Sequence, residues 1–163
     1  MPPVLRRLAV LFAIAGGVAA CCVALLTVLS IAGRAALSMP IPGDVELTQF
    51  GIALSIALCL PWCQLGGSNI IVDFFTQRVP QTTLGRLDGL GSVLIAAMVG
   101  VLAWRTTVGA FSVRSAQETT MILGLPMWWT YAVLAPGFAL TALIALFQAR
   151  RRWHGLDALV DPA

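Results

Sequence analysis

Four cysteines, one histidine and a few scattered charges are the residues of this chain that could carry chemistry. Cys59 and Cys63 share a helix face at i, i+4, within Cys59-Leu60-Pro61-Trp62-Cys63. A four-span, quinone-linked thiol oxidoreductase would need cysteine pairs near the oxidising face of a membrane. This pair is spaced more widely than Cys-x-x-Cys. It also closes an apolar run that descends toward the arginine-rich, reducing side. Packing as small hydrophobes accounts for it more simply. His154 lies beyond the last apolar run. Membrane haem needs axial histidines inside helices, and zinc needs several clustered ligands. No catalytic, cofactor-binding or metal-binding residue is therefore expected.

Ionisable groups inside a membrane are functional suspects by default. Asp44, Glu46, Asp73, Asp88, Arg105 and Glu118 all read as lying at the edges of apolar runs or in loops. With none at the centre of a predicted span, an ion path through this chain alone is not expected.

The elements that position these residues follow from composition. The 163 residues are 59% apolar and 10% charged, against about 25% charged in soluble domains. Lipid solvates such a surface, whereas a soluble fold of this size could not bury it. All ten basic residues are arginine, and the net charge is only +3. The arginines flank apolar runs instead of forming the stripe that a nucleic-acid binder needs.

The fold class is thus an all-α membrane protein with about four transmembrane helices and a short amphipathic interfacial helix, in a single membrane domain over 1–163. The spans are expected at about 8–33, 47–66, 84–107 and 126–149. The interfacial helix is expected at about 70–79, where Ile70, Ile71, Phe74 and Phe75 are interleaved with Asp73, Gln77 and Arg78. Pro40, Pro42 and Gly43 break the chain between runs one and two. Asp44 and Glu46 then stand where acidic groups complement a helix dipole. Arg6, Arg7 and Val18-Ala19-Ala20-Cys21 resemble a lipoprotein signal, but the apolar run continues past Cys21 to Ile31, which fits an uncleaved anchor.

With the N-terminus inside, seven arginines (Arg6, Arg7, Arg78, Arg86 and Arg150 to Arg152) face the cytoplasm. Three (Arg34, Arg105 and Arg114) lie outside. This bias predicts both termini in the cytoplasm. Trp128, Trp129 and Tyr131 suit an interfacial aromatic belt. Small residues, including Gly16, Gly17, Ala20, Gly91, Ala96, Ala97 and Gly100, permit close helix contact.

Three stretches resemble the small membrane subunit of TRAP transporters, the tripartite ATP-independent periplasmic systems (the DctQ-like family). They are Gly43-Asp44-Val45-Glu46-Leu47, then Gly67-Ser68-Asn69-Ile70-Ile71-Val72-Asp73, then Ser115 to Thr120 with Leu125-Pro126-Met127-Trp128-Trp129 and Tyr131. Pro136-Gly137 in run four also fits. The similarity extends from about residue 8 to 149. Asn69 stands where the family commonly has histidine, so a protonation role there is not expected. The resemblance implies a role in secondary, sodium-gradient-driven transport of an organic acid, typically a carboxylate, across a bacterial inner membrane. The partners it implies are a large membrane subunit, which carries the substrate and sodium sites, and a periplasmic substrate-binding protein. The small subunit would be a scaffold. Glu46, Asp73, Gly91, Ala97, Glu118, Trp128 and Trp129 are its candidate partner contacts.

Two other classes stay open on sequence alone. A thiol oxidoreductase would require Cys59 and Cys63. A self-contained channel would require transport by this polypeptide alone.

Overall fold

The computed structural model describes residues 3–37, 41–66 and 81–153. The interfacial helix expected at 70–79 lies outside them. Within them the chain forms four helices: α1 (Pro3–Leu37), α2 (Asp44–Leu65), α3 (Gln81–Ser115) and α4 (Trp128–Trp153). All four are long and apolar enough to cross a membrane. Among the described residues the only β-pairing is an isolated bridge between Thr119 and Pro126. Lipid cannot hydrogen-bond to a backbone, so helices that satisfy their own N–H and C=O groups are the outcome this composition demands.

The helices pack in the order α1, α2, α4, α3. Two antiparallel hairpins, α1/α2 and α3/α4, meet along parallel α2 and α4, while α1 and α3 form the opposite edges. α4 is the most enclosed: 33% of its apolar stretch is buried, against 11% in each of the others.

Close approach of small residues makes the seams. A Cβ on Gly16 would lie 2.8 Å from Cys59 Sγ, and the Ser55 hydroxyl donates to the Gly16 carbonyl at 2.9 Å. Gly51 receives the Val23 side chain. At the α2–α4 crossing, Gly137 lies against the Ala57 carbonyl so closely that any Cβ would collide with it. The hydroxyl of Thr141 bonds back to the Gly137 carbonyl at 2.8 Å. Such contacts matter because helices in lipid gain little from hydrophobic burial against one another.

The two ends of the bundle are fastened differently. At one end, Leu5, Phe12 and Leu65 surround buried Ala9, Leu140 and Ile144. Gln64 Nε2 donates to Gln148 Oε1 at 2.8 Å, and Gln148 Nε2 donates to the Gln64 carbonyl at 2.8 Å. Arg152 donates to the Asp88 carbonyl at 3.2 Å and to Ser92 Oγ at 3.0 Å. Arg6, Arg7 and Arg150 to Arg152 gather here, at what we term the arginine end. The opposite, loop end carries the start of α2 and the α3–α4 connection.

Helix α3 differs from its expected bounds. It does not stop near Thr107 but continues to Ser115. Thr106 and Thr107 fit the helix by turning their hydroxyls back onto the carbonyls of Leu102 and Ala103, at 2.7 to 3.0 Å. The end itself is a Schellman motif on a non-glycine residue. Gln117 is left-handed at φ 54, its N–H reaches the Arg114 carbonyl at 3.2 Å, and the Glu118 N–H reaches Val113 at 3.2 Å.

Candidate partner-binding surfaces

The loop end is built around two acidic residues in the first turn of α2. Gly43 precedes them at φ 75, a conformation that favours glycine. The Leu123 side chain lies against Gly43, leaving no room for a Cβ. Asp44 fastens α1: it accepts from the Ser30 hydroxyl and the Val45 N–H, and pairs with Arg34 at 3.5 Å. Glu46 fastens the α3–α4 connection: its two oxygens accept from the backbone N–H groups of Ile122, at 2.8 Å, and Leu123, at 3.1 Å.

The connection holds its own shape as well. The Thr120 N–H bonds the Leu125 carbonyl at 2.9 Å, the Leu125 N–H bonds Thr120 Oγ1 at 3.0 Å, and the Met127 N–H bonds the Glu118 carbonyl at 3.1 Å. Met121 is fully exposed at the tip. Arg114 stacks over the Trp128 ring at 5.1 Å from its centroid, and Trp128 meets Trp129 edge-to-face at 6.2 Å.

The candidate contacts therefore fall into separate groups. Glu46, Glu118, Trp128 and Trp129 come together at the loop end. Glu46 is occupied with the chain's own amides, whereas the Glu118 side chain is exposed beside them. Gly91 and Ala97 lie apart on α3. Gly91 has no neighbour within 4 Å of a built Cβ, and Ala97 is exposed. Asp73 lies outside the described residues. The cysteines do not converge. Cys59 packs on Gly16, while the α1–α2 register sets Cys21 and Cys22 about 8–9 Å farther along the axis. All four are free.

Arg105 is the residue that sequence reasoning misplaced. It was expected at the outer end of the third span and counted with the outer arginines, but ten residues of α3 follow it before the helix ends at Ser115. The α3–α4 register fixes its level. Gly89 lies against Arg152 and Trp153, and Gly109 against Tyr131. Interpolation sets Arg105 level with Ala135 to Gly137. The charge-free part of α4 runs from Trp128 to Ala149, so Arg105 is within about 5 Å of its midpoint at 1.5 Å per residue. The signal was available: apart from Gly109, neither proline nor glycine follows Arg105 until Gly124 and Pro126.

The fold defines a multi-pass, all-α integral membrane protein. Its polar features tie helices together or face outward, and among the described residues no three His, Cys, Asp or Glu gather as a metal site would require. The chain belongs to the family of the DctQ component of tripartite ATP-independent periplasmic transporters, whose family model matches residues 23–155. The match takes in all three stretches that carry the resemblance and begins within α1. Comparison with curated proteins and with solved structures gives no match.

Proposed function

We infer that this chain is the small membrane subunit of a sodium-gradient-driven transporter of an organic acid, most consistent with a carboxylate. It acts as scaffold for the large membrane subunit and helps to position the periplasmic binding protein. It is not an enzyme. The single observation that carries this reading is the family match over residues 23–155 to a component of a tripartite system. Chemistry supports the division of labour. Among the described residues, the one charge at mid-span depth, Arg105, is exposed and lines no interior path. Sodium and substrate sites then belong to the large subunit.

The arginine bias supports the inner membrane with both termini in the cytoplasm. Extension of α3 through Arg105 strengthens that bias, because only Arg34 and Arg114 remain for the opposite side. In this orientation the loop end faces the periplasm, where Glu118 and the Trp128-Trp129 pair are available to the binding protein.

The test is uptake in liposomes that contain the large subunit and binding protein, with and without this chain. Uptake driven by a sodium gradient should require all three. Full-rate uptake without this chain would overturn the scaffold role.

A further inference from the structure

Arg105 sits at mid-span depth, yet among the described residues no hydrogen bond, ion pair or ring contact reaches its guanidinium. It belongs to the side of α3 turned away from α4. Leu94, Met98, Val101 and Val108 surround it there at helical spacing, all strongly exposed. A single cation therefore stands in the middle of an apolar face on an edge helix whose main packing, among the described helices, is against α4. Ionisable residues at this depth are paired with one another or with backbone carbonyls, since lipid tails offer them nothing.

We propose that this face of α3 seats a transmembrane helix of the large subunit, and that this helix presents a carboxylate to Arg105 near the middle of the bilayer. The proposal rests on the transporter-subunit reading and specifies where its main contact lies.

Charge complementarity selects the occupant. A guanidinium carries five donors in a planar fork and matches a carboxylate in bidentate fashion. A second copy of this chain is a poor source of that group. The described carboxylates are Asp44 and Glu46 at the start of α2, Asp88 level with Arg152, and Glu118 in the loop. None lies at the depth of Arg105. Lipid phosphate is also poorly placed. Arg114, level with Trp128 at the loop end, is nine residues on, about 14 Å along the axis, and an extended arginine side chain covers roughly half of that. Helical side chains also lean toward the N-terminus. In α3 that is the arginine end, so Arg105 leans away from its nearer headgroups. Ala97, on the same side about two turns before Arg105, lets a neighbouring backbone approach closely.

The experiment uses the assembled membrane complex. Arg105→Met keeps length and removes charge; Arg105→Lys keeps charge and removes the fork. Each is co-expressed with the large subunit, and co-purification in mild detergent is measured alongside the amount of this chain in the membrane. Arg105→Met should reduce recovery of the large subunit at least tenfold at unchanged chain level, and Arg105→Lys should restore part of it. In a cysteine-free background, Val101→Cys labelled with a short reagent that carries one thiol-reactive end and one photoactivatable end should cross-link to the large subunit on illumination. Undiminished co-purification of Arg105→Met, or a Val101→Cys thiol that reacts only with a lipid-soluble probe and never cross-links, would overturn the proposal and leave lipid as the occupant. Failure of the unaltered chain to co-purify at all would instead count against the transporter-subunit reading. The two failures are therefore distinguishable.

Discussion

Gly137 and Gly91 are the same residue type on neighbouring transmembrane helices, yet their surroundings are opposite. Gly137 is pressed against the Ala57 carbonyl, while a Cβ on Gly91 would meet nothing within 4 Å. Gly16 and Gly51 side with the first, against α2 and α1 respectively; Gly17 and Gly100 side with the second. Lipid gives helices little reason to associate except close packing and polar contacts. Glycines that are already filled mark the seams this chain makes with itself. Glycines that face open space mark surfaces that lipid or another subunit must cover. The two sets share helices, so composition alone could not separate them.

Substitution at a filled glycine should break the fold. Gly137→Leu drives a side chain into the backbone of α2, which cannot yield without shifting the helix. Overpacking of this kind typically costs about 1–3 kcal/mol and sometimes more. Because the obstacle is a main-chain carbonyl, the upper end is expected. A loss of about 3 kcal/mol would lower Tm by roughly 6–12 °C for a chain of this size. Thermal unfolding in detergent measures it. Gly51→Leu should cost less, because its obstacle is the Val23 side chain, which can turn aside. An unchanged Tm for Gly137→Leu would mean that α2 and α4 do not cross so closely.

The loop end should respond more locally. Glu46 holds the connection through two backbone N–H groups and makes no contribution to the α2–α4 seam. Glu46→Ala should leave Tm nearly unchanged while the Ile122 and Leu123 amides exchange with solvent faster, on the order of tenfold, as expected for local opening. The backbone bonds of Thr120, Leu125 and Met127 remain, so the loop should loosen and not detach. Equal exchange rates in the variant would show that those internal bonds suffice to hold it.

Much of this architecture was legible because lipid imposes a simple rule on sequence. Long charge-free runs must be helices, and all four were found. Asp44 and Glu46 were read correctly as the start of α2, but what they hold was not readable. Their partners, Ser30 and the 122–123 backbone, are distant in sequence, and Ile122 and Leu123 contribute only amides that every residue has. The end of α3 was hidden for a local reason. Charged Arg105, followed by two threonines, resembles the end of a span. Threonine nevertheless stays helical when its hydroxyl bonds back to the preceding turn, and the true stop uses Gln117 where glycine is the usual signal. That error carried a functional cost, since it moved Arg105, the one charge at mid-span depth among the described residues, to the outer end of the span.

The smallest effect on stability belongs to the open glycine, and it gives the comparison its sharpest test. Gly91→Leu adds a side chain to empty space at the flank of α3. Leucine also favours a helix over glycine by up to about 1 kcal/mol. The isolated chain should therefore keep its Tm or gain slightly. Ala97→Phe, on the exposed side one and a half turns on, should likewise leave the isolated chain intact. If both positions face only lipid, the bulk is accommodated by fluid tails, and assembly and uptake are unchanged. If the large subunit covers them, the same bulk holds its helix away, and co-purification should fall severalfold while Tm of the isolated chain does not. Gly137→Leu shows the reverse order of events, since there the chain itself fails first. A variant pair in which Gly91→Leu lowers the Tm of the isolated chain as much as Gly137→Leu would erase the distinction between filled and open glycines.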